Sequence, residues 1–179
     1  CKKVSKVIGI IFRSRFFLTE KTLLSLYYTL VYPYLSYCSI VWTSTYPTNL
    51  NRIYLLQKQA MRAITKSNYL AHSAPLFSRL KVLDIYQINS LHIGKFMYKY
   101  QNRLLPSVFL DLFQTGNQIH KYNTRSASEL RPLKCRTNIK QSTILFQGPK
   151  IWNALPNSLT ISNSFFSFSK NFKSFLLRK

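Results

Sequence analysis

The chain has very few acidic residues. Its 179 residues include only Glu20, Asp84, Asp111 and Glu129, against 26 lysines and arginines. None of the four acids lies close to another in the sequence. Two-metal phosphoryl or nucleotidyl transfer needs clustered carboxylates, and a hydrolase with two acidic catalytic groups needs a pair. We therefore predict that this chain is not an enzyme on its own.

Glycine and cysteine are also scarce. Four glycines leave no phosphate-binding glycine loop. The three cysteines, Cys1, Cys38 and Cys135, have no CxxC spacing, which argues against a disulfide framework and a cysteine-rich zinc site. His72 and His120 have no metal-ligand spacing, so we predict no metal and no other cofactor. Reduced thiols and the lack of a signal peptide predict an intracellular protein, nuclear or cytoplasmic, and a first residue other than Met suggests a piece of a longer one.

Positive charge is what the chain has in excess. The formal net charge is +22, while apolar residues make up 46% of the sequence and predict a packed core. A globular protein with this much self-repulsion usually has a polyanionic partner, and nucleic acid is the commonest. An anionic membrane surface is the competing partner.

The longest uncharged segment extends from Thr22 to Asn51. Thr19 and Glu20 predict the start of a helix, and Pro33 should kink or break that helix. Residues 23–42 have nominally the length of a bilayer span. Their five tyrosines and Pro33 suit insertion poorly, so a membrane partner is not favoured.

Amphipathic helices follow this segment. Pro47 marks a turn, and a helix capped by Thr48 or Asn49 should run to about Thr65, with an apolar face that includes Leu56 or Gln57. Asp84 predicts the cap of a third long helix, which Pro106 ends. The basic residues beside the apolar faces of these two helices are candidate phosphate contacts: Arg52, Lys58, Arg62, Lys66, Lys95 and Lys99.

The first 18 residues predict another amphipathic helix. Val4, Val7, Ile8 and Ile11 share one face, and basic residues, among them Arg13 and Arg15, occupy the rest of the surface. The pattern fits a solvated surface helix and a helix lying along phosphates equally well.

Composition changes from Gln114 onward. Residues 114–141 are polar, basic and poor in aliphatic side chains, which predicts an extended arm or exposed loop. Basic residues with an interleaved aromatic suit phosphate contact and base stacking, although a solvated linker has the same composition. The candidate contacts in this segment are Lys121, Tyr122, Arg125, Lys134, Arg136 and Lys140.

The last 38 residues predict a small mixed α/β tail. Thr143–Phe146 favours a short strand, Gly148-Pro149 a turn, and the phenylalanines of residues 165–176 an amphipathic terminal helix. The whole chain is then mainly α, with a helical bundle over 1–113, an extended basic arm over 114–141 and a small tail over 142–179.

Several phrases occur in an order that resembles the C-terminal part of the reverse transcriptases of non-LTR (LINE-type) retrotransposons. They are LYYTLVYPYLSYCSIVW (26–42), LLQKQAMRAIT (55–65), the APLF…LKVLDI run (74–85), HKYNTRS (120–126), RTN (136–138) and GPKIWNALP (148–156).

The resemblance implies that this chain forms the helical thumb and the segment beyond it, which hold the template–primer duplex. Charge and helical face then place Arg52, Lys58, Arg62 and Lys66 near the nucleic-acid backbone. The fingers, the palm and the metal-binding aspartates of the polymerase are absent. The expected function is therefore non-catalytic, sequence-independent binding of an RNA template or RNA–DNA hybrid, with the missing palm and fingers as a further partner.

The alternative is a module for membrane association or protein interaction. It would use the apolar segment 23–42 and the Phe-rich terminal helix.

Overall fold

The computed structural model describes residues 2–119 and 127–178, and helices make up most of them. In chain order these are α1 Lys2–Ser14, α2 Glu20–Leu26, α3 Tyr32–Ser36, α4 Ser39–Trp42, α5 Pro47–Ile64, α6 Ala74–Leu80, α7 Ile85–Gln101, α8 Gly116–Ile119, α9 Asn138–Gln141, α10 Ile144–Asn153, α11 Asn157–Thr160 and α12 Phe165–Arg178. A π-helix, Tyr27–Val31, joins α2 to α3, and a 3₁₀ turn, Ser107–Phe109, follows α7. The mainly α class is confirmed.

The chain divides into two compact units. The first consists of Cys1–Ser39 and Pro47–Ile88, and the second of Ile40–Tyr46 and Asn89–Lys179. The divisions that composition suggests, after residues 113 and 141, stay predictions.

Residues 22–39 of the uncharged segment belong to the first unit, and Leu23, Tyr27, Val31 and Leu35 among them are buried. Thr19 caps α2, because the backbone N–H of Thr22 donates to Thr19 Oγ1 over 3.3 Å. Ahead of Pro33 the α-helix widens into the π-helix, in which the N–H of Tyr32 bonds to the carbonyl of Tyr27. Proline lacks a backbone donor and its ring crowds the preceding turn, which a local π-helix accommodates. The chain stays helical from Glu20 to Ser36, so Pro33 does not break the helix, and the predicted kink stays a prediction.

A buried polar network holds the same region together. Gln57 Nε2 of α5 donates to Tyr27 Oη over 2.8 Å and to the backbone oxygen of Leu83 over 2.9 Å. Burial raises the pKa of Tyr27 above its usual value, so the phenol stays neutral. Of the two residues that the sequence offered for this face of α5, Gln57 is the buried one.

The start of α7 agrees with the sequence. Asp84 Oδ1 accepts from the N–H of Gln87 over 2.8 Å, while Gln87 Oε1 accepts from the N–H of Asp84 over 3.1 Å. This reciprocal capping box satisfies two donors that the helix itself cannot. The helix ends at Gln101, before Pro106 is reached.

In the second unit, α12 supplies an aromatic core. Phe168 stacks on Tyr98 at a centroid distance of 4.7 Å and on Phe172 at 5.5 Å. Gly94 of α7 lies against Phe172 so closely that a Cβ would be 2.2 Å from the ring. Phe168, Phe172 and Leu176 are buried, which confirms the predicted amphipathic helix.

The predicted strand over Thr143–Phe146 is wrong. Thr143 is the N-cap of α10, and Gly148 and Pro149, predicted as a turn, are buried inside that helix. A proline in a helix leaves the carbonyl four residues earlier without its donor. Here the N–H of Leu133 supplies it, at 3.2 Å from the oxygen of Leu145. A contact with a distant part of the chain therefore permits a helix where the local sequence favoured strand and turn.

The extended arm over 114–141 is likewise not supported by the described residues. Gln114 and Gly116 pair with the returning chain: the N–H of Arg131 donates to the oxygen of Gln114 over 2.8 Å, and that of Gly116 to Glu129 over 3.2 Å. An isolated antiparallel bridge joins Thr115 to Leu130. These backbone bonds satisfy groups that a solvated arm would leave to water.

Over the described ranges, none of the helices combines the length and the hydropathy that a membrane span requires.

Candidate nucleic-acid interface

A cleft of about 930 Å³ lies within the first unit, between α1 and the C-terminal end of α5. We call it the α1–α5 cleft. Basic and aromatic side chains make up half of its lining, and most of the others are small or polar. The lining residues are Ser5, Ile8, Gly9, Phe12, Arg13, Arg15, Phe16, Gln59, Arg62, Ala63, Lys66, Ser67, Asn68 and Tyr69.

One wall of the cleft comes from α1 and the turn after it. Val4, Ile8 and Ile11 of this helix are buried, and α1 packs on α5. The Arg15 guanidinium lies over the Phe12 ring, 3.9 Å from its centroid, and 4.7 Å from that of Phe16. Cation–π attraction orients this guanidinium and leaves its N–H groups able to reach an anion.

The opposite wall comes from α5 and the loop that follows it. Arg62 is half-buried, and its Nε donates to the backbone oxygen of Ala71 over 2.8 Å. Asn68 Oδ1 accepts from the N–H of Leu70 over 3.2 Å, which tightens the same loop. These two bonds hold the loop, and with it Tyr69, at the edge of the cleft.

Lys66 is held in an unusual backbone conformation at the end of α5. Its φ is 54°, in the left-handed region. The N–H of Ser67 bonds to the oxygen of Arg62 over 3.0 Å, and that of Lys66 to Ala63 over 3.3 Å. This is the Schellman pattern, whose left-handed position glycine usually occupies. Here Lys66 occupies that position. Its charge complements the negative end of the helix dipole and adds a positive charge to the cleft.

A lysine also occupies the left-handed position after α6, where Lys81 has φ 51°. Lys81 is exposed and does not line the cleft, so it serves as a matched control for Lys66.

At Lys66 and at Lys81 we expect the Gly variant to be more stable than the Ala variant by about 1 kcal/mol, because a Cβ is strained at positive φ. Both Lys66 variants should bind nucleic acid more weakly than the parent chain, and neither Lys81 variant should. Thermal unfolding and binding assays on the four proteins test this; weakened binding by the Lys81 variants would contradict it.

No acidic side chain of the described chain lines the cleft. The first unit has only two acids, and both are engaged elsewhere: Glu20 pairs with Arg79, and Asp84 caps α7. Four cations, Arg13, Arg15, Arg62 and Lys66, therefore share one concave surface without a carboxylate to offset them. Such an arrangement attracts anions.

The predicted contacts on α5 are only partly brought together. Arg62 and Lys66 line the cleft, whereas Arg52 and Lys58 do not. Arg52 is exposed. Lys58 lies over the Tyr54 ring, with Nζ 4.1 Å from its centroid.

Lys95 and Lys99 belong to a separate cationic cluster in the second unit. Burial lowers the pKa of Lys95, and the charges of Lys173 and Lys99 lower it further. Lys99 Nζ lies 4.8 Å from the centroid of the Phe165 ring. Mutual repulsion of this kind would be relieved by an anion.

His92 lies beside this cluster. Burial and then the charge of Lys95 lower its pKa, so the ring is neutral at pH 7. Its side chain is partly buried on α7.

The remaining predicted contacts lie elsewhere. Lys134, Arg136 and Lys140 are exposed in the second unit, with Lys140 in α9. Lys121, Tyr122 and Arg125 lie outside the described residues.

The sequence did not identify the aromatic residues of the α1–α5 cleft, Phe12, Phe16 and Tyr69, and it left Arg13 and Arg15 open between a solvated helix face and phosphate contacts. A usable signal was present, because basic and aromatic residues alternate in FRSRFF (12–17).

Within the parts of the chain that the structure describes, no group of three or more His, Cys, Asp and Glu side chains could hold a metal ion. No family model, curated protein sequence or solved structure matches the chain.

Proposed function

We propose that this chain binds nucleic acid through sequence-independent contacts with phosphates, chiefly in the α1–α5 cleft. The observation that carries the proposal is the cleft's four cations without a lining carboxylate. Phosphate contacts of this kind supply most of the affinity of non-specific binding. Within the cell, the chain would act as a thumb-like fragment of a retrotransposon reverse transcriptase. It would help to hold an RNA–DNA hybrid. The chemistry would belong to the absent palm and fingers.

The alternative function, membrane association or protein interaction, has less support because many of the apolar side chains on which it would rely are buried. Leu23, Tyr27, Val31 and Leu35 of the apolar segment are buried within the first unit. The apolar stripe of α12 is buried within the second. Other apolar side chains stay exposed, namely Tyr34, Tyr37 and Val41 of the segment and Phe166 of α12.

A salt titration tests the proposal. We expect the logarithm of the affinity for an RNA–DNA hybrid duplex to fall linearly with the logarithm of salt concentration, with a slope of about −0.9 for each phosphate contacted. Four contacts in the cleft would give a slope of about −3.6. Anionic phospholipid vesicles are the parallel target. Vesicle binding that survives high salt, combined with no measurable affinity for the hybrid, would overturn the proposal.

A further inference from the structure

We infer that the α1–α5 cleft holds an unpaired nucleotide, with its base stacked on the cleft's aromatic rings and its phosphates on the cleft's cations. The inference rests on the proposed function and adds a substrate class to it. The chain should prefer a duplex that carries a single-stranded extension to a blunt duplex of the same sequence.

The first support is the exposure of aromatic rings in the cleft. Phe16 and Tyr69 are 70% and 72% exposed, and Phe12 is 48% exposed. All three line the cleft. Exposed aromatic rings next to cations are the platform on which proteins stack unpaired bases, and such stacking tolerates any base because every base has a π-face.

The second support is size. Pockets that hold small ligands have volumes of about 300–1,000 Å³. At about 930 Å³ the cleft lies inside that range. It therefore has room for one or a few unpaired nucleotides, while the phosphates of a duplex can contact the cations from its rim.

The third support is the polar lining. Gln59 and Asn68, whose side chains carry amides, also line the cleft. An amide can donate to or accept from the edge of a base, and it does so most readily when the base is unpaired. The Arg15 guanidinium, which already lies over two rings, offers a further stacking plane.

The combination of cations and aromatic rings distinguishes between the possible occupants of the cleft. A neutral aromatic ligand would gain from the rings but not from Arg13, Arg15, Arg62 and Lys66. An acidic peptide would gain from the cations and leave the rings exposed. An unpaired nucleotide satisfies both sets of side chains at once, with its phosphates and its base.

The test compares three hybrid duplexes by fluorescence anisotropy at one salt concentration. One is blunt, one carries a single-stranded extension of about six nucleotides, within the site sizes of single-strand binders, and one carries the same extension without bases. We expect the base-bearing extension to bind about tenfold more tightly than the abasic one, since both have the same phosphates. Equal affinities for the base-bearing and the abasic extension would overturn this inference but not the proposed function. No binding to any of the three would overturn the proposed function as well. Extensions of RNA and of DNA distinguish the two possible strands.

Single substitutions locate the effect. Phe16→Ala and Tyr69→Ala should each remove most of the advantage of the base-bearing extension and leave binding of the blunt duplex unchanged. Phe16→Trp should preserve the advantage. Phe17 is the matched control: it is 88% exposed, adjacent in sequence and does not line the cleft. A loss in Phe17→Ala equal to that in Phe16→Ala, or no loss in either cleft variant, would contradict the assignment.

Discussion

Replacing Arg13, Arg15, Arg62 and Lys66 together with glutamine should weaken hybrid binding by about 4,000-fold at 0.1 M salt. Each phosphate contact contributes about 0.9 to the slope of log affinity against log salt, so four lost contacts flatten it by about 3.6 units. If the parent chain and the variant bind equally at 1 M salt, their affinities differ at 0.1 M, one decade lower, by about tenfold for each unit of slope. Glutamine keeps most of the side-chain volume and removes the charge, together with the Arg62–Ala71 bond and the cation–π contacts of Arg15.

A control variant of equal charge separates the cleft from net charge. Lys3, Lys21, Lys150 and Lys170 are exposed, and none of them lines the cleft. Changing all four to glutamine removes the same four positive charges, and we expect a loss of less than about tenfold because distant exposed charges are screened by salt. A control loss as large as that of the cleft variant would attribute binding to overall charge. Thermal unfolding of both variants checks that the fold survives the loss of the Arg62–Ala71 bond.

Phe168→Ala should lower the free energy of unfolding of the second unit by about 3–5 kcal/mol, the usual effect of truncating a buried phenylalanine. Phe168 is completely buried and contacts three aromatic rings: Tyr98, Phe172 and Trp152, the last at a centroid distance of 5.9 Å. Its removal forfeits the burial and leaves a cavity that neighbouring rings can fill only partly.

The measurement is urea unfolding followed by tryptophan fluorescence. Trp42 and Trp152, the two tryptophans of the chain, both belong to the second unit, so the signal reports on that unit. Phe166 on the same helix is the control: it is 78% exposed, and Phe166→Ala should change the free energy by less than about 0.5 kcal/mol. Similar losses from both substitutions would contradict the packing of α12 described above.

The features that sequence predicted well are those that neighbouring residues determine. Thr19 and Asp84 cap helices because a short polar side chain reaches an N–H two or three residues ahead. The spacing of Phe168, Phe172 and Leu176 places them on one face of α12 whatever that face contacts.

The features that sequence missed depend on distant partners. Pro149 lies inside a helix because Leu133, sixteen residues earlier in the chain, donates to the carbonyl that the proline leaves open. The cleft joins the end of α1 to the end of α5, and no local pattern predicts that pairing. Arg52 and Lys58 lie on the same helix as Arg62, but the position of α1 determines which of these cations share the cleft.

The central claim is that nucleic acid occupies the α1–α5 cleft, and photo-crosslinking tests it most directly. A hybrid duplex whose extension carries one photoreactive uracil would be irradiated in complex with the full chain, and the modified peptides identified by mass spectrometry. The account predicts adducts on residues 12–16 and 62–69. Adducts confined to the second unit, for example on Lys134, Arg136 or Lys140, would contradict it.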